Sequence, residues 1–338
     1  MSSSASSGNG ATAAGDLLEE DVLTRRRLGR GLYDLGASPF TSSPSKPQEL
    51  SLVKDEAAAP FPRPVVVCVT SGKGGTGKSV LTSNLAVHLA ASGLKVIAVD
   101  ADMGLANLHL LLGLQPRRTV MEVIEGGATI DDIAESGPIG VRLAGGGSGR
   151  PEMADLHPSR LRRLVAAVDA VGERADVVLV DTGAGIGRST TSFLYAIEEI
   201  LVVTSPDLTA MTDGYAVIKN VVRNNRSARV FVVVNRAQSA VEGLEVFGRI
   251  DRVCQRFLER RLFYLGHVLN DPRVTTSVAA RVPILLNQPA APASACLRGV
   301  GRALLLEIDQ RLAGTMADGR AGATHAARFE PDRGPECA

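Results

Sequence analysis

The 338-residue sequence contains no tryptophan, few other aromatic residues and only four cysteines. The cysteines, Cys68, Cys254, Cys296 and Cys337, are scattered and form no C-x-x-C pair, which argues against an iron–sulfur, zinc or dithiol site within one chain. No apolar run reaches the ~20 residues that cross a bilayer, and the N-terminus lacks the basic-then-apolar pattern of a secretory signal. These absences predict a cytoplasmic protein.

A large charge of one sign is also missing, since 37 basic residues face 36 acidic residues and the formal net charge is +1. This balance disfavours a wholly basic nucleic-acid binder, although it leaves a local basic face open. Lysine is scarce too, with six lysines against 31 arginines. Two of the six, Lys73 and Lys78, lie five residues apart in one glycine-rich turn, and this concentration singles out that turn.

Composition divides the chain into three parts. Residues 1–62 are predicted to be a disordered N-terminal tail, residues 63–313 a folded domain, and residues 314–338 a disordered C-terminal tail. Within the first tail, segment 16–36 has an acidic half and then a basic half, with leucines at helical spacing. Two interpretations of this segment stay open, a solvated leader and a short docking peptide.

Continuous β-branched runs alternate with helical patterns over about 250 residues. Such runs are typical of strands buried on both faces, as in a parallel sheet covered by helices on both sides. The predicted fold class is therefore α/β, with a mostly parallel sheet and helices on both faces. The predicted strands lie at 65–69, 95–99, 176–180, 200–204, 230–234 and 262–268, and the predicted helices at 79–91, 158–172, 189–198, 211–224, 241–261 and 294–313.

A phosphate-binding motif lies between the first predicted strand and its helix. It satisfies G-x-x-x-x-G-K-[ST] in the strand-then-helix context that the motif requires, which predicts a P-loop NTPase fold. Its glycines let backbone N–H groups surround a phosphate at the positive end of the helix dipole. Lys78 is expected to reach the β- and γ-phosphates of ATP, and the Ser79 hydroxyl to ligate Mg²⁺. The predicted nucleotide-binding residues here are Gly72, Lys73, Gly74, Gly75, Thr76, Gly77, Lys78 and Ser79.

Acidic residues follow two of the predicted strands, at the sheet edge where ligands bind in such folds. Asp100 and Asp102 end the second strand. Asp181 follows the predicted strand 176–180, and this is the Walker B position that holds Mg²⁺ directly or through water. Gly185, a few residues later, is expected to sense a γ-phosphate through its backbone N–H.

The extra lysine, Lys73, makes the turn a K-G-G-x-G-K-[ST] sequence, which resembles the deviant Walker A motif of the MinD/ParA family of ATPases. The resemblance implies that Lys73 crosses an ATP-bound homodimer to the partner's phosphates. It also implies that Asp102 polarises the attacking water and contributes to the Mg²⁺ site, which makes Asp102, Lys73 and Lys78 the catalytic candidates. Asn235 falls where family members contact adenine, and the turn that holds Asn270 and Asp271 is a second candidate for base contacts.

Three longer stretches resemble one branch of that family, the flagellar number regulators called FlhG, FleN or YlxH. They are DADMGLANL at 100–108, DTGAGI at 181–186 and TDGYAVIK at 212–219. The resemblance implies slow regulatory ATP hydrolysis that controls flagellar number or placement, with an FlhF-like GTPase or basal-body proteins as partners. The alternatives are a ParA-like DNA-partitioning ATPase, a MinD-like cell-division positioning ATPase, and an ATP-gated scaffold with negligible turnover.

The sequence departs from this branch in two places. The tail 314–338 lacks the basic amphipathic helix that carries such proteins to membranes, which argues against direct membrane binding and leaves a partner as the route to the inner membrane. The D-Q-A-x-x-L-R motif that stimulates FlhF is also absent, whereas Arg27–Tyr33 resembles the ParA-stimulating peptide of ParB-type proteins. Five arginines at 249, 252, 256, 260 and 261 keep the DNA-binding alternative open, but a solvated helix face is the favoured interpretation.

Overall fold

The computed structural model describes residues 64–147 and 156–317. The predictions for the N-terminal tail, including segment 16–36, and for residues 318–338 lie outside the described residues. Within the described ranges, no helix is both long enough and apolar enough to span a membrane.

Eight strands form a single sheet whose order is β3-β4-β2-β5-β1-β6-β7-β8. Every neighbouring pair is parallel except β3 and β4 at one edge. The strands are β1 (Val65–Thr70), β2 (Val96–Ala101), β3 (Glu135–Ser136), β4 (Arg142–Ala144), β5 (Val177–Thr182), β6 (Glu199–Thr204), β7 (Arg229–Ala237) and β8 (Phe263–Leu269).

Eleven α-helices lie in the described part of the chain. They are α1 (Lys78–Ala91), α2 (Leu108–Leu111), α3 (Val120–Ile124), α4 (Ile130–Ile133), α5 (Pro158–Asp169), α6 (Arg188–Ala196), α7 (Leu208–Asn224), α8 (Ala240–Leu258), α9 (Pro272–Ala279), α10 (Ile284–Asn287) and α11 (Pro292–Ala317). Two short 3₁₀ turns occupy Pro138–Gly140 and Gly172–Arg174.

Two apolar layers cover the two faces of the sheet, as the uninterrupted β-branched runs predict. In β1, Val66 and Cys68 enter the layer that α3 to α8 cover, whereas Val67 and Val69 enter the layer beneath α1, α10 and α11. Successive side chains of a strand point to opposite faces, so a strand that is buried on both faces is apolar at every position. The predicted fold class, a mostly parallel sheet with helices on both faces, is confirmed.

The sequence patterns failed to predict the short elements at the β4 edge. Strands β3 and β4 and helices α2, α3 and α4 each contain five residues or fewer, which is too short for an apolar period to emerge. Helix α11 continues to Ala317, four residues beyond its predicted end at Ala313.

Candidate nucleotide site

The glycine-rich turn lies at the centre of the sheet, between β1 and the first residue of α1. Gly75 and Gly77 have φ angles of +79° and +89°, a left-handed conformation that residues with a Cβ rarely adopt. Helix α1 begins at Lys78 without a side-chain cap. Its first N–H groups therefore face the turn and can bind an anion.

Two close contacts fix the turn from outside. A Cβ at Gly72 would overlap the backbone of Asp213 and Gly214 in α7, so only glycine permits this approach. On the other side the Asn235 side-chain nitrogen, at the end of β7, donates to the Thr76 carbonyl at 2.7 Å. The loop is thus held between α7 and β7 before any phosphate binds.

Lys78 and Asp181 form a buried ion pair beneath the turn. The Lys78 Nζ donates to Asp181 Oδ1 at 3.0 Å, and the two side chains are only 8% and 1% exposed. The Thr82 hydroxyl, one helical turn after Lys78, donates to the same oxygen at 2.9 Å. The lysine that is expected to bind phosphates therefore rests on the Walker B carboxylate.

Asp100 is a second buried carboxylate beside this pair. It lies opposite Asp181 in the register between β2 and β5 and accepts backbone N–H groups from Leu108 at 2.9 Å and Asp102 at 3.2 Å. Burial, followed by the negative charge of Asp181, raises the pKa of Asp100 to about 7, although the N–H donors and Lys78 act in the opposite direction. Asp100 thus braces the loop that carries Asp102.

Asp102 is half-buried beside the loop that follows β5. Its Oδ1 accepts the N–H groups of Gly104 at 3.2 Å and Leu105 at 3.1 Å. The same oxygen would lie 3.5 Å from a Cβ placed on Gly183, so the carboxylate reaches the Walker B loop. The sheet thereby brings the predicted catalytic carboxylate next to the loop that is expected to sense the γ-phosphate.

The Walker B loop is itself attached to the phosphate-binding turn. Gly185, whose φ is +81°, donates its N–H to the Ser71 carbonyl at 2.8 Å. In addition, the Thr182 hydroxyl donates to the Val69 carbonyl at 3.1 Å. Two hydrogen bonds therefore connect the end of β5 to the end of β1.

Lys73 is exposed on the outer side of the turn. Its Nζ donates to the Thr209 hydroxyl at 3.0 Å, in the first turn of α7. Lys73 thus pairs with none of the three carboxylates described above, whereas Lys78 pairs with Asp181.

The candidate base-contacting residues lie around the ends of β7 and β8. Asn235 uses its side-chain nitrogen on Thr76, and Asn270 is exposed, with its N–H donated to the Ala237 carbonyl at 2.8 Å. Asp271 caps α9 from the preceding turn, because its carboxylate accepts the Arg273 N–H at 3.0 Å and lies near the Ala293 N–H. The following Pro272 at the first helical position is a helix-start signal.

The donor set fits Mg²⁺ held largely by phosphates and water. Ser79, Asp102 and Asp181, the predicted Mg²⁺ ligands, carry hydroxyl and carboxylate oxygens, the donor type that Mg²⁺ prefers. Among the described residues no cluster of three or more His, Cys, Asp or Glu side chains has metal-binding geometry.

Sequence reasoning missed three members of this site: Thr82, Thr209 and Asp213. The position of Thr82 could have been predicted, since it lies four residues after Lys78 and therefore on the same helix face. The other two come from α7, more than 130 residues away in the sequence, and no local pattern links them to the turn.

Comparison with known proteins identifies the family of the chain. Residues 67–284 match the family model of the CobQ/CobB/MinD/ParA nucleotide binding domain. The chain is 39% identical to the antiactivator FleN of Pseudomonas aeruginosa over 70% of this chain and 85% of that protein. It is 33% identical to the flagellum site-determining protein YlxH of Helicobacter pylori over 64% of this chain and 73% of that protein.

Solved structures show the same fold. The cell division ATPase MinD of Pyrococcus furiosus is 25% identical and superposes with a TM-score of 0.61 over 71% of this chain and 98% of that one. The septum site-determining protein MinD of Pyrococcus horikoshii, complexed with Mg-ADP, has a TM-score of 0.62 at 23% identity over 71% and 95% of the two chains. The chain described here belongs to the CobQ/CobB/MinD/ParA family of nucleotide-binding proteins, and within it is similar to the flagellar MinD-like regulators.

Proposed function

We propose that the protein is an ATP-dependent dimerising switch that hydrolyses ATP to ADP with Mg²⁺ and regulates flagellar number or placement. The observation that carries the proposal is the pairing of two lysines in one phosphate-binding turn with Asp102 beside the Walker B loop. The similarity to an antiactivator and to a flagellum site-determining protein supports the regulatory role.

In the proposed mechanism the N–H groups of the turn and of the start of α1 bind the β- and γ-phosphates. Lys78 moves from Asp181 to these phosphates, where its positive charge stabilises the negative charge that develops on the leaving group. Asp102 accepts a hydrogen bond from the attacking water and orients it. Water attacks the γ-phosphorus, the bond to the β,γ-bridging oxygen breaks, and ADP and inorganic phosphate result. Ser79, Asp102 and Asp181 would hold Mg²⁺, which would neutralise phosphate charge.

Dimerisation joins two copies through the edge of the sheet that holds the nucleotide. Three large apolar side chains are exposed around this edge: Leu105 at 74%, Ile186 at 56% and Leu208 at 75%. Exposed apolar groups on the loops that carry Asp102 and Gly185 favour a partner surface there. Lys73, released from Thr209, would then reach the phosphates of the second copy.

The proposed location is the cytoplasm, with any contact with the inner membrane made through a partner. An FlhF-like GTPase or flagellar basal-body proteins are the proposed partners. Deleting the gene and counting flagella per cell tests the biological role. An unchanged number and placement of flagella would contradict it.

ATP turnover by the Asp102→Ala variant tests the proposed chemistry. We expect turnover to fall by about 100-fold or more if Asp102 orients the water, whereas ATP affinity should change little. Equal turnover in the variant and the wild type would remove Asp102 from the mechanism, and negligible turnover in both would favour the ATP-gated scaffold.

Sizing the protein with ATP and with ADP tests the switch. We expect a dimer with ATP only and a monomer for Lys73→Ala under both conditions. Lys95→Ala is the matched control, since Lys95 is exposed just before β2 at the opposite edge of the sheet. A wild-type protein that stays monomeric with ATP would refute the switch, and retention of the ATP form on DNA would favour the partitioning alternative.

A further inference from the structure

The helix ends opposite the nucleotide site form one continuous surface. Strands β6, β7 and β8 are parallel, so α7 and α8, which connect them, run back and end at the amino edge of the sheet. The two helices pack against each other. Just past their ends, the Arg260 guanidinium donates to the Arg226 carbonyl and joins the two termini.

Four exposed arginines lie on this surface: Arg223 and Arg226 at the end of α7, and Arg252 and Arg256 at the end of α8. None of the four forms an ion pair with a residue in the described ranges, whereas Arg249, one turn earlier in α8, lies 3.7 Å from Glu245. Cations near a helix C-terminus stabilise the helix by interacting with its dipole, and the effect is small and confined to the last turn. Four guanidinium groups on one surface, each without an ion pair among the described residues, exceed what the two helix ends need.

An apolar strip accompanies these arginines. Val253 and Phe257 are 37% and 64% exposed and lie one turn apart on the same face of α8. The β8 side of α8 is marked by Asp251, whose carboxylate accepts the Leu262 N–H at 2.9 Å. Val253 is two residues further and therefore about 200° around the helix, on the side towards α7.

We propose that this surface docks an acidic amphipathic helix of another protein. We call it the basic patch, and it consists of Arg223, Arg226, Arg252, Val253, Arg256 and Phe257. Carboxylates pair with guanidinium groups through two parallel hydrogen bonds. Apolar side chains at i and i+4 of a partner helix match the spacing of the strip.

Other polyanions fit the basic patch less well. The Arg256 guanidinium lies over the Phe257 ring, 5.3 Å from its centroid, and covers a face on which a nucleobase would stack. The phosphates of duplex DNA offer no counterpart for Val253 and Phe257. A lipid surface needs apolar groups that project beyond the cations, whereas these two lie on the flank of α8 towards α7. The patch is remote from the nucleotide site, so the inference goes beyond the proposed function.

A labelled model peptide provides the test with the full-length protein. The probe is a fluorescent helical peptide of about 20 residues with Leu and Phe four residues apart among Glu and Ala. Matched peptides carry Lys for Glu, or Ala for both Leu and Phe. We expect fluorescence anisotropy to show binding of the Glu peptide, no binding of the Lys peptide and weaker binding of the Ala-substituted peptide.

Variants locate the binding on the patch. Arg252→Glu combined with Arg256→Glu should weaken binding by about tenfold or more through charge repulsion, and Phe257→Ser should weaken it without changing its salt dependence. Arg117→Glu is the control, because Arg117 is exposed near the β4 edge of the sheet. ATP turnover of the patch variants should equal that of the wild type.

Three outcomes would overturn the inference: no binding of the Glu peptide, equal binding by the double variant, or tighter binding of duplex DNA or phosphatidylglycerol vesicles than of the peptide. Failure of the proposed function is distinguishable, because loss of wild-type ATP turnover or dimerisation would leave the peptide measurements intact.

Discussion

The buried ion pair of Lys78 and Asp181 leads to a prediction about stability without nucleotide. The pair is 3.0 Å long and its carboxylate is 1% exposed, with the second buried carboxylate of Asp100 opposite it in the sheet. Lys78→Met removes the positive charge but keeps a long apolar stem. Asp181 then retains the Thr82 hydroxyl but loses its ionic partner.

The expected loss follows from the burial of the pair. Removing one partner of a buried ion pair costs about 3–5 kcal/mol, because the other charge remains out of water. In a domain of this size each kcal/mol lowers the melting temperature by about 2–4 °C. The melting temperature of Lys78→Met should therefore fall by about 6–20 °C.

A double variant separates the charge effect from lost packing. In Lys78→Met/Asp181→Asn the buried group is neutral and still accepts the Thr82 hydroxyl, so the double variant should be more stable than Lys78→Met by about 2 kcal/mol or more. Urea unfolding without nucleotide and with EDTA measures both values. If Lys78→Met is as stable as the wild type, or if Asp181→Asn restores no stability to it, the ion pair does not stabilise the fold.

Three further predictions concern single contacts. Gly72→Ala should lower the free energy of unfolding by about 1–3 kcal/mol, because the new Cβ overlaps α7. Gly74→Ala is the control, since its Cβ meets open space and should change the stability of the nucleotide-free protein little. Equal melting temperatures of the two variants would contradict the contact between Gly72 and α7. Burial, followed by the positive charges of Arg302 and Arg298, lowers the pKa of His88. Below a pH of about 6.5 the unfolded chain therefore gains a proton more readily than the folded one, and the free energy of unfolding should fall. Melting curves between pH 7.5 and 5.5 should show a smaller loss of stability for His88→Leu than for the wild type. Because the pKa of Asp100 is raised to about 7, the folded protein keeps the Asp100 proton at a pH where the unfolded chain has released it, and the free energy of unfolding should fall as the pH rises towards 7. Asp100→Asn should remove this part of the pH dependence, and a variant with the same pH profile as the wild type would refute the prediction.

The sheet was predictable because burial on both faces demands an unbroken apolar sequence. Strand β5 illustrates this, since all six of its residues are buried and its apolar run extends to the carboxylate of Asp181. At the β4 edge the strands are too short to show an unbroken apolar sequence. Strand β4 contains three residues, of which Leu143 and Ala144 are buried, whereas Arg142 is half-buried and pairs with Asp131 at 2.6 Å, so its apolar run is too short to be recognised in the sequence.

The site was predictable where the local backbone conformation or the bound phosphate requires a particular residue type. Gly75 and Gly77 are required by their positive φ angles, and Lys78 by the phosphates that it is expected to bind. The contacts of Lys73 with Thr209 and of Gly72 with Asp213 depend on how α7 packs. Two elements distant in the sequence meet there, and a single sequence carries no signal of that meeting.

The absence of space between Gly72 and α7 has a mechanical consequence. Since no side chain separates the turn from the Asp213–Gly214 backbone, the turn cannot shift towards the helix without pushing it. Leu208, exposed at the start of the same helix, would move with it as part of one rigid body. A displacement of the turn by the phosphates would therefore reach the outer surface at Leu208, about one and a half helical turns from Asp213.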